Sequence, residues 1–359
     1  MDQAGLSALS ERLLPWFAAR FRPLPWRIHP TPYGVWVSEI MLQQTRIEAV
    51  LPYYERFMHT LPTVQALADA PQDVLYKLWE GLGYYSRVRN LQKAAQQLVE
   101  QHGGQLPAQY EQLLTLPGIG PYTAGAIASI AFGQAVPAVD GNVLRVLARL
   151  LGYPHSVTAP QGKKYLTQLA WQAVPSTNAG AFNQAVMELG QTVCLPGAAV
   201  RCAACPLADL CTARAQGTAA ELPLRDAPKA RKLEQKTVLV IRVAGSPSRF
   251  LLHKRPNSGL LAGLWELPQL QGHLSPEQAA ACLEQHGLRI VRCAPLPSGK
   301  HLFTHIEWQM QGVYLQAEPF VPQEPFVLVT AEQLEQAYAL PSALRLYQRL
   351  IPLLEEESI

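Results

Sequence analysis

A chain of 359 residues is longer than one ordinary domain, so two are expected. With 48% hydrophobic and 16% charged residues, and no apolar run long enough to span a bilayer, it reads as a soluble globular protein without a membrane partner. The formal charge of +3 permits a polyanionic partner, and the basic excess lies in residues 1–236, whereas residues 237–359 carry more Asp and Glu than Lys and Arg. The opening MDQAGLSALSERLL lacks the basic flank and apolar core of a signal peptide, which points to cytoplasmic residence.

A first helix is expected over about residues 5–20, followed by the Pro-rich stretch FRPLPWRIHPTPYGVW. Pro23, Pro25, Pro30 and Pro32 prevent a continuous helix there, and Trp26 and Arg27 fall at the boundary. VSEIMLQQTRIEAVLPYYERF predicts one long helix with Glu39 in its first turn, a position that favours carboxylates through the helix dipole. Three more helices are expected between Thr63 and Gly103, punctuated by GLGYYSR at 81–87. No sustained strand alternation precedes about residue 236, so the first domain should be all-α.

The stretch 113–145, LLTLPGIGPYTAGAIASIAFGQAVPAVDGNVLR, predicts helix, Gly-rich turn, helix, then a segment presenting Asp140. Gly118 and Gly120 allow positive φ and leave their N–H groups unshielded, and Pro121 starts the next helix. Such a turn can hold a phosphate. An N-cap role for Asp140 is compatible with a chemical one. Further helices lead to Cys194, Cys202, Cys205 and Cys211, a C-x7-C-x2-C-x5-C cluster. Disulfides are not expected in a cytosolic chain, so metal ligation is the physical reading; spacing alone accepts structural zinc or a [4Fe–4S] cluster. Cys282 and Cys293 stand apart and read as buried small hydrophobes.

Residues 215–235 are polar, basic and aperiodic, a linker between a domain at 1–214 and another at 236–359. In the latter, KTVLVIRVA and SRFLLHKRP predict paired strands, with a helix at about 275–286 and more strands around 300–317. Two short helices are expected near 331–336 and 342–353, giving an α+β domain.

PWR at 25–27, SEIMLQQT at 38–45, GLGYYSR, LPGIGPYTAGAI at 116–127, VDGNV at 139–143, the four cysteines, GLWELP and Phe303-Thr304-His305 occur together in one order. In that order they resemble the adenine DNA glycosylases of the MutY type, helix-hairpin-helix enzymes with an iron–sulfur loop and a Nudix-like C-terminal domain. The resemblance implies a monomer acting on double-stranded DNA containing adenine opposite 8-oxoguanine or guanine. It implies Glu39 as general acid, Asp140 as the carboxylate that stabilises or traps the sugar cation, and Asn142 bonded near Asp140. Tyr122 stands where the endonuclease III branch carries a Schiff-base lysine, which implies a monofunctional glycosylase. Arg27 is implied to contact the flipped adenine, Gln44 and Tyr84 to fill and read the disrupted duplex, and Gly118 and Gly120 to form the DNA-binding turn. Phe303, Thr304 and His305 resemble the Phe-Ser-His segment that probes 8-oxoguanine. The resemblance favours a [4Fe–4S] cluster on the four cysteines, although the first gap is one residue longer than usual. AACLEQHG at 280–287 retains only Glu284 of the Nudix acids, so metal-dependent nucleotide hydrolysis is not expected. The alternative is an endonuclease III-like lyase on oxidised pyrimidines.

Overall fold

The computed structural model describes residues 3–227 and 230–356, and the chain forms two compact units. The first comprises residues up to Asp69 and Arg89–Ala227; the second comprises Ala70–Val88 and the chain beyond residue 229.

The first unit is all-helical among its described residues. Apolar residues spaced three or four apart share one helix face, so Leu9 and Leu13, Val146 and Leu150, and Phe182, Val186 and Leu189 meet in one core. They lie on the helices Gln3–Ala19, Gly141–Leu151 and Ala179–Thr192. The helix Pro32–Leu42 is buried on every side from Tyr33 to Met41, and Thr31 caps it by accepting from Gly34 N at 3.1 Å. The single helix expected over 37–57 is two: this one and Ile47–Thr60, separated by a turn at Gln43–Arg46 in which Gln44 has φ 60°. Glu39 therefore lies near the C-terminal end of a buried helix, not in a first turn where solvent would favour its charge.

Tyr110–Leu113, the Gly-rich turn and Pro121–Phe132 form the helical hairpin. Only Gly118 needs its missing side chain for backbone conformation: its φ is 76°, and a Cβ there would stand 2.6 Å from Asn90 Cβ. Gly120 is an extended N-cap at φ −94°, which any residue adopts. Gly133 ends this helix at φ 69°, and a segment without helix or strand leads to Asp140, the N-cap of Gly141–Leu151.

Part of the expected linker packs with the first unit: Ala219 and Leu222 are buried against Ala213, and Val157 N donates to Leu224 O at 3.0 Å. Pro228 and Lys229, also in that linker, lie outside the described residues.

The second unit is built on a seven-stranded mixed sheet: β1 (Lys232–Val243), β2 (Arg249–Lys254), β3 (Trp265–Glu266), β4 (Gln269–Gln271), β5 (Ile290–Leu302), β6 (Ile306–Ala317) and β7 (Phe326–Val329). The order is β3-β2-β1-β6-β5, with β4 beside β1 and β7 beside β2. β1 and β2 pair antiparallel over a short stretch, as the sequence suggests, but the long partner of β1 is β6, parallel from Lys232↔Ile306 to Val243↔Ala317. Alternation explains the continuous TVLVIRV: Val238 and Val240 face one core, while Leu239, Ile241 and Val243 face another under the helix Pro276–Glu284. Helix Gln72–Trp79 groups with this unit although it falls within the expected first domain, because Asp73 accepts from Trp265 Nε1 at 3.3 Å and Glu80 from Leu340 N at 3.1 Å. Cys282 and Cys293 are half-buried, not buried as expected.

Candidate active site

One cleft of about 990 Å³ in the first unit is lined by Arg27, Glu39, Gln44, Tyr122, Asp140 and Asn142, six of the residues singled out from the sequence. Glu39 is 6% exposed and accepts the Tyr122 phenol O–H at 2.5 Å. Burial disfavours the charged carboxylate and pushes Glu39 up to about 7; the Asp140 charge adds to the rise, while the Tyr122 hydrogen bond and Arg27 oppose it. Burial likewise pushes the Tyr122 phenol well above its ordinary range, so it remains a donor.

Asp140 is held differently. Its Oδ1 accepts from Asn142 N and Val143 N at 2.8 Å each, and its Oδ2 from Asn142 Nδ2 at 2.7 Å. Burial raises its pKa, and these three donors with Arg145 oppose the rise by stabilising the ion. Arg145 Nη2 donates to Asn142 Oδ1 at 2.7 Å, which fixes the amide so that its NH2 faces Asp140. The same guanidinium reaches Gly190 O and Cys194 O, each at 2.8 Å. Gly190 has no Cβ, and one would stand 2.6 Å from Asn142 Cβ, so the helix Ala179–Thr192 can approach this closely.

Arg27 donates Nη2 to Glu188 Oε2 at 3.0 Å, while its Nη1 is buried without a partner. Such an orphaned donor is costly unless something else accepts from it. Gln44 is exposed on its left-handed turn. Tyr84, in the second unit, is also left-handed at φ 48°, and the residue is 49% exposed. Arg87 holds that turn, donating to Leu82 O at 3.0 Å and Gly83 O at 3.2 Å with its guanidinium 5.6 Å from the Tyr84 ring. Gly118 and Gly120 are not among the residues lining the cleft.

Phe303, Thr304 and His305 connect β5 to β6 in the second unit. Phe303 packs edge-on to Trp308 at 4.9 Å, and Phe303 O accepts from Arg231 Nε at 2.9 Å; Thr304 and His305 are exposed at the tip.

All four cluster cysteines line one small cavity with Arg149. Arg149 Nη1 donates to Cys194 Sγ at 3.3 Å and Leu195 O at 2.7 Å, and its Nε to Leu222 O at 2.8 Å. Its Nη2 is buried and unpartnered. Among the described residues no three His, Cys, Asp or Glu side chains converge as a site for a single metal ion. Glu188 and Arg145 carry no motif that marks them in the sequence. The one signal for Glu188 is a lone acid inside the otherwise uncharged AGAFNQAVMELGQT, with two arginines far upstream at 22 and 27.

The helical hairpin followed by a capped aspartate defines a base-excision repair class of protein: residues 37–176 match the model of the HhH-GPD superfamily base excision DNA repair proteins, and residues 237–349 match that of a NUDIX domain. The adenine DNA glycosylase of Homo sapiens is 37% identical, over 90% of this chain and 70% of that protein. That of Buchnera aphidicola (subsp. Acyrthosiphon pisum, strain APS) is 33% identical, over 82% of this chain and 83% of that protein. The solved structure of a thermostable thymine-DNA glycosylase is 26% identical with a TM-score of 0.55, covering 59% of this chain and 98% of that one. The chain belongs to the adenine DNA glycosylase family. No helix among the described residues is long and apolar enough to cross a membrane.

Proposed function

We propose that this protein hydrolyses the N-glycosidic bond of adenine mispaired with 8-oxoguanine or guanine in duplex DNA. The observation that carries the proposal is the contrast between two carboxylates in one cleft: Glu39 buried with a raised pKa of about 7, and Asp140 held by three N–H donors. Burial raises both, but three donors and Arg145 counter it at Asp140, which suits Glu39 to the acid role and Asp140 to the anionic one.

In this reading the adenine leaves the stack and enters the cleft, where Arg27 Nη1 supplies the donor now lacking a partner. Glu39 delivers its proton to N7 as the bond from C1′ to N9 breaks, and the bonding electron pair enters the purine ring. The sugar becomes oxocarbenium-like, and ionised Asp140 stabilises or traps it. Water then supplies the hydroxyl at C1′ and loses the proton that balances the step. Tyr122 keeps Glu39 oriented; a phenol cannot form a Schiff base, so strand scission requires added alkali. Gln44 and Tyr84 fill and read the disrupted duplex from exposed, left-handed turns, and the hairpin at Gly118–Gly120 takes a phosphate. Thr304 and its neighbours read the opposite base.

The four thiols around one cavity, with the spare Arg149 donor beside them, fit a sulfide-containing [4Fe–4S] cluster better than a single ion. Bound there, the cluster would serve structure and DNA binding, and no step above depends on it. The test is single-turnover excision from duplexes carrying adenine opposite 8-oxoguanine, guanine or thymine, each with and without alkali. Release from the first two, with breaks only after alkali, is expected; strand cleavage without alkali, or release of an oxidised pyrimidine in place of adenine, would overturn the proposal.

A further inference from the structure

Glu188 is a buried carboxylate with no part in the reaction just described. It is 3% exposed and is the only ionisable residue of the helix Ala179–Thr192. Two guanidiniums converge on it: Arg22, with Nε 2.8 Å from Oε1 and Nη2 2.8 Å from Oε2, and Arg27, with Nη2 3.0 Å from Oε2.

The geometry around Arg27 gives the pair a purpose. The four-residue helix Pro25–Ile28 that carries it begins with a proline, so the backbone has little freedom. Its guanidinium lies 5.4 Å from the Phe17 ring and shares the cleft with Glu39. The charged and titratable groups acting on Glu39 are Tyr122 from the hairpin helix, Asp140 from its helix cap and Arg27; Glu188 reaches it only through Arg27, and the helix bearing Glu39 has no other ionisable residue besides Tyr33. An arginine released from Glu188 has Glu39 as its alternative carboxylate, and a guanidinium paired with a carboxylate favours the ionised form strongly.

We infer that Glu188 is a positioning residue that holds Arg27 off Glu39, so that the acid keeps its proton and Arg27 Nη1 stays free for the base. The inference rests on the proposed role of Glu39 and extends it to a residue that touches neither substrate nor reacting atoms.

The experiment is single-turnover excision of adenine opposite 8-oxoguanine by the full chain across about pH 6 to 9, where general-acid catalysis shows as a falling limb at high pH. Glu188→Gln is expected to move that limb about one pH unit lower, a loss of about tenfold on its slope, with the low-pH plateau kept within about twofold. Removing the cation as well, in Glu188→Gln/Arg27→Met, returns the limb to its wild-type position or above it, because Arg27 already lowers Glu39 in the wild-type protein, even where affinity is lost. A folded Glu188→Gln protein with an unmoved limb, or with an equal loss at every pH, overturns the inference. Should that variant fail to fold, Arg22→Gln removes only a part-exposed partner; its limb is expected to move slightly upward, and a downward move is equally fatal. Glu39→Gln separates the two levels: a limb that survives it means Glu39 is not the acid, whereas a limb abolished by it and unmoved by Glu188→Gln defeats only the positioning role.

Discussion

Replacing Glu39 by Gln should make the protein inactive, and should change its stability by an amount that depends on pH. Glu39 titrates near 7 in the folded protein against an ordinary 4.5, a gap worth roughly 3 kcal/mol at 1.36 kcal/mol per decade. For an acid whose folded pKa is raised, stability is fully present below the unfolded pKa and is lost as pH rises through the folded one. The loss therefore develops between about pH 4.5 and 7, because the unfolded chain ionises first. Glutamine does not titrate. Its amide still accepts from Tyr122, but its NH2 needs a new partner, which costs about 1–3 kcal/mol at every pH. The informative quantity is consequently the change in the difference between variant and wild type, which should grow by about 2–3 kcal/mol from pH 5 to pH 8. For a unit of this size that is roughly 5–10 °C in thermal midpoint. Parallel melts at both pH values, with iron content checked, would measure it, alongside a fall in single-turnover rate of about 10²–10⁴-fold. A stability difference that is the same at pH 5 and pH 8 would falsify the raised pKa of Glu39, and near-normal turnover would move the acid elsewhere.

Replacing Phe303, Thr304 and His305 together with alanine should narrow the preference for 8-oxoguanine over guanine by about tenfold, since one hydrogen bond to a base edge contributes roughly 1–3 kcal/mol. Adenine excision itself should survive, and unchanged discrimination in the same kinetic assay would place the reader elsewhere. Purified anaerobically, the protein should be yellow-brown with about four irons per chain, and Cys202→Ala should release the loop and weaken the salt-dependent part of DNA binding; one zinc and no iron on elemental analysis would refute this. Gly118→Ala should destabilise the fold by about 1–2 kcal/mol through its φ of 76° alone, with the Asn90 overlap adding to the loss and DNA affinity falling. A Gly118→Ala protein with the melting midpoint and affinity of wild type would argue against the strained turn.

Motifs with a local backbone cause were legible in the sequence. The hairpin glycine, the proline that starts Pro121–Phe132 and the aspartate that caps Gly141–Leu151 each act within a few residues of themselves. Helical periodicity and strand alternation likewise separate an α first unit from a mixed sheet. The break at Gln43–Arg46 was not legible, because no glycine or proline marks it and Gln44 takes a positive φ that glutamine seldom adopts. Nor was the parallel pairing of β1 with β6, whose partners lie more than sixty residues apart. Glu188 and Arg145 act through ion pairs and hydrogen bonds to distant residues, and no periodicity encodes those.

The excursion of Ala70–Val88 into the second unit has a consequence for how the chain is made and cut. These residues leave the ribosome about 140 residues before the sheet they pack with begins, a wait of roughly ten to thirty seconds at ordinary synthesis rates. Leu75, Tyr76, Leu78 and Trp79 are buried in the finished protein, and during that interval the nascent segment lacks its contact with Trp265 of the later sheet. A fragment ending near residue 225 would lack that contact permanently. It would also strip Asp73 and Glu80 of their partners on Trp265 and Leu340, two anchors of the very segment that carries Tyr84. Loss of lesion preference in such a fragment would thus report the loosening of that segment as readily as the absence of a reader, whereas substitutions confined to Phe303–His305 leave the excursion intact.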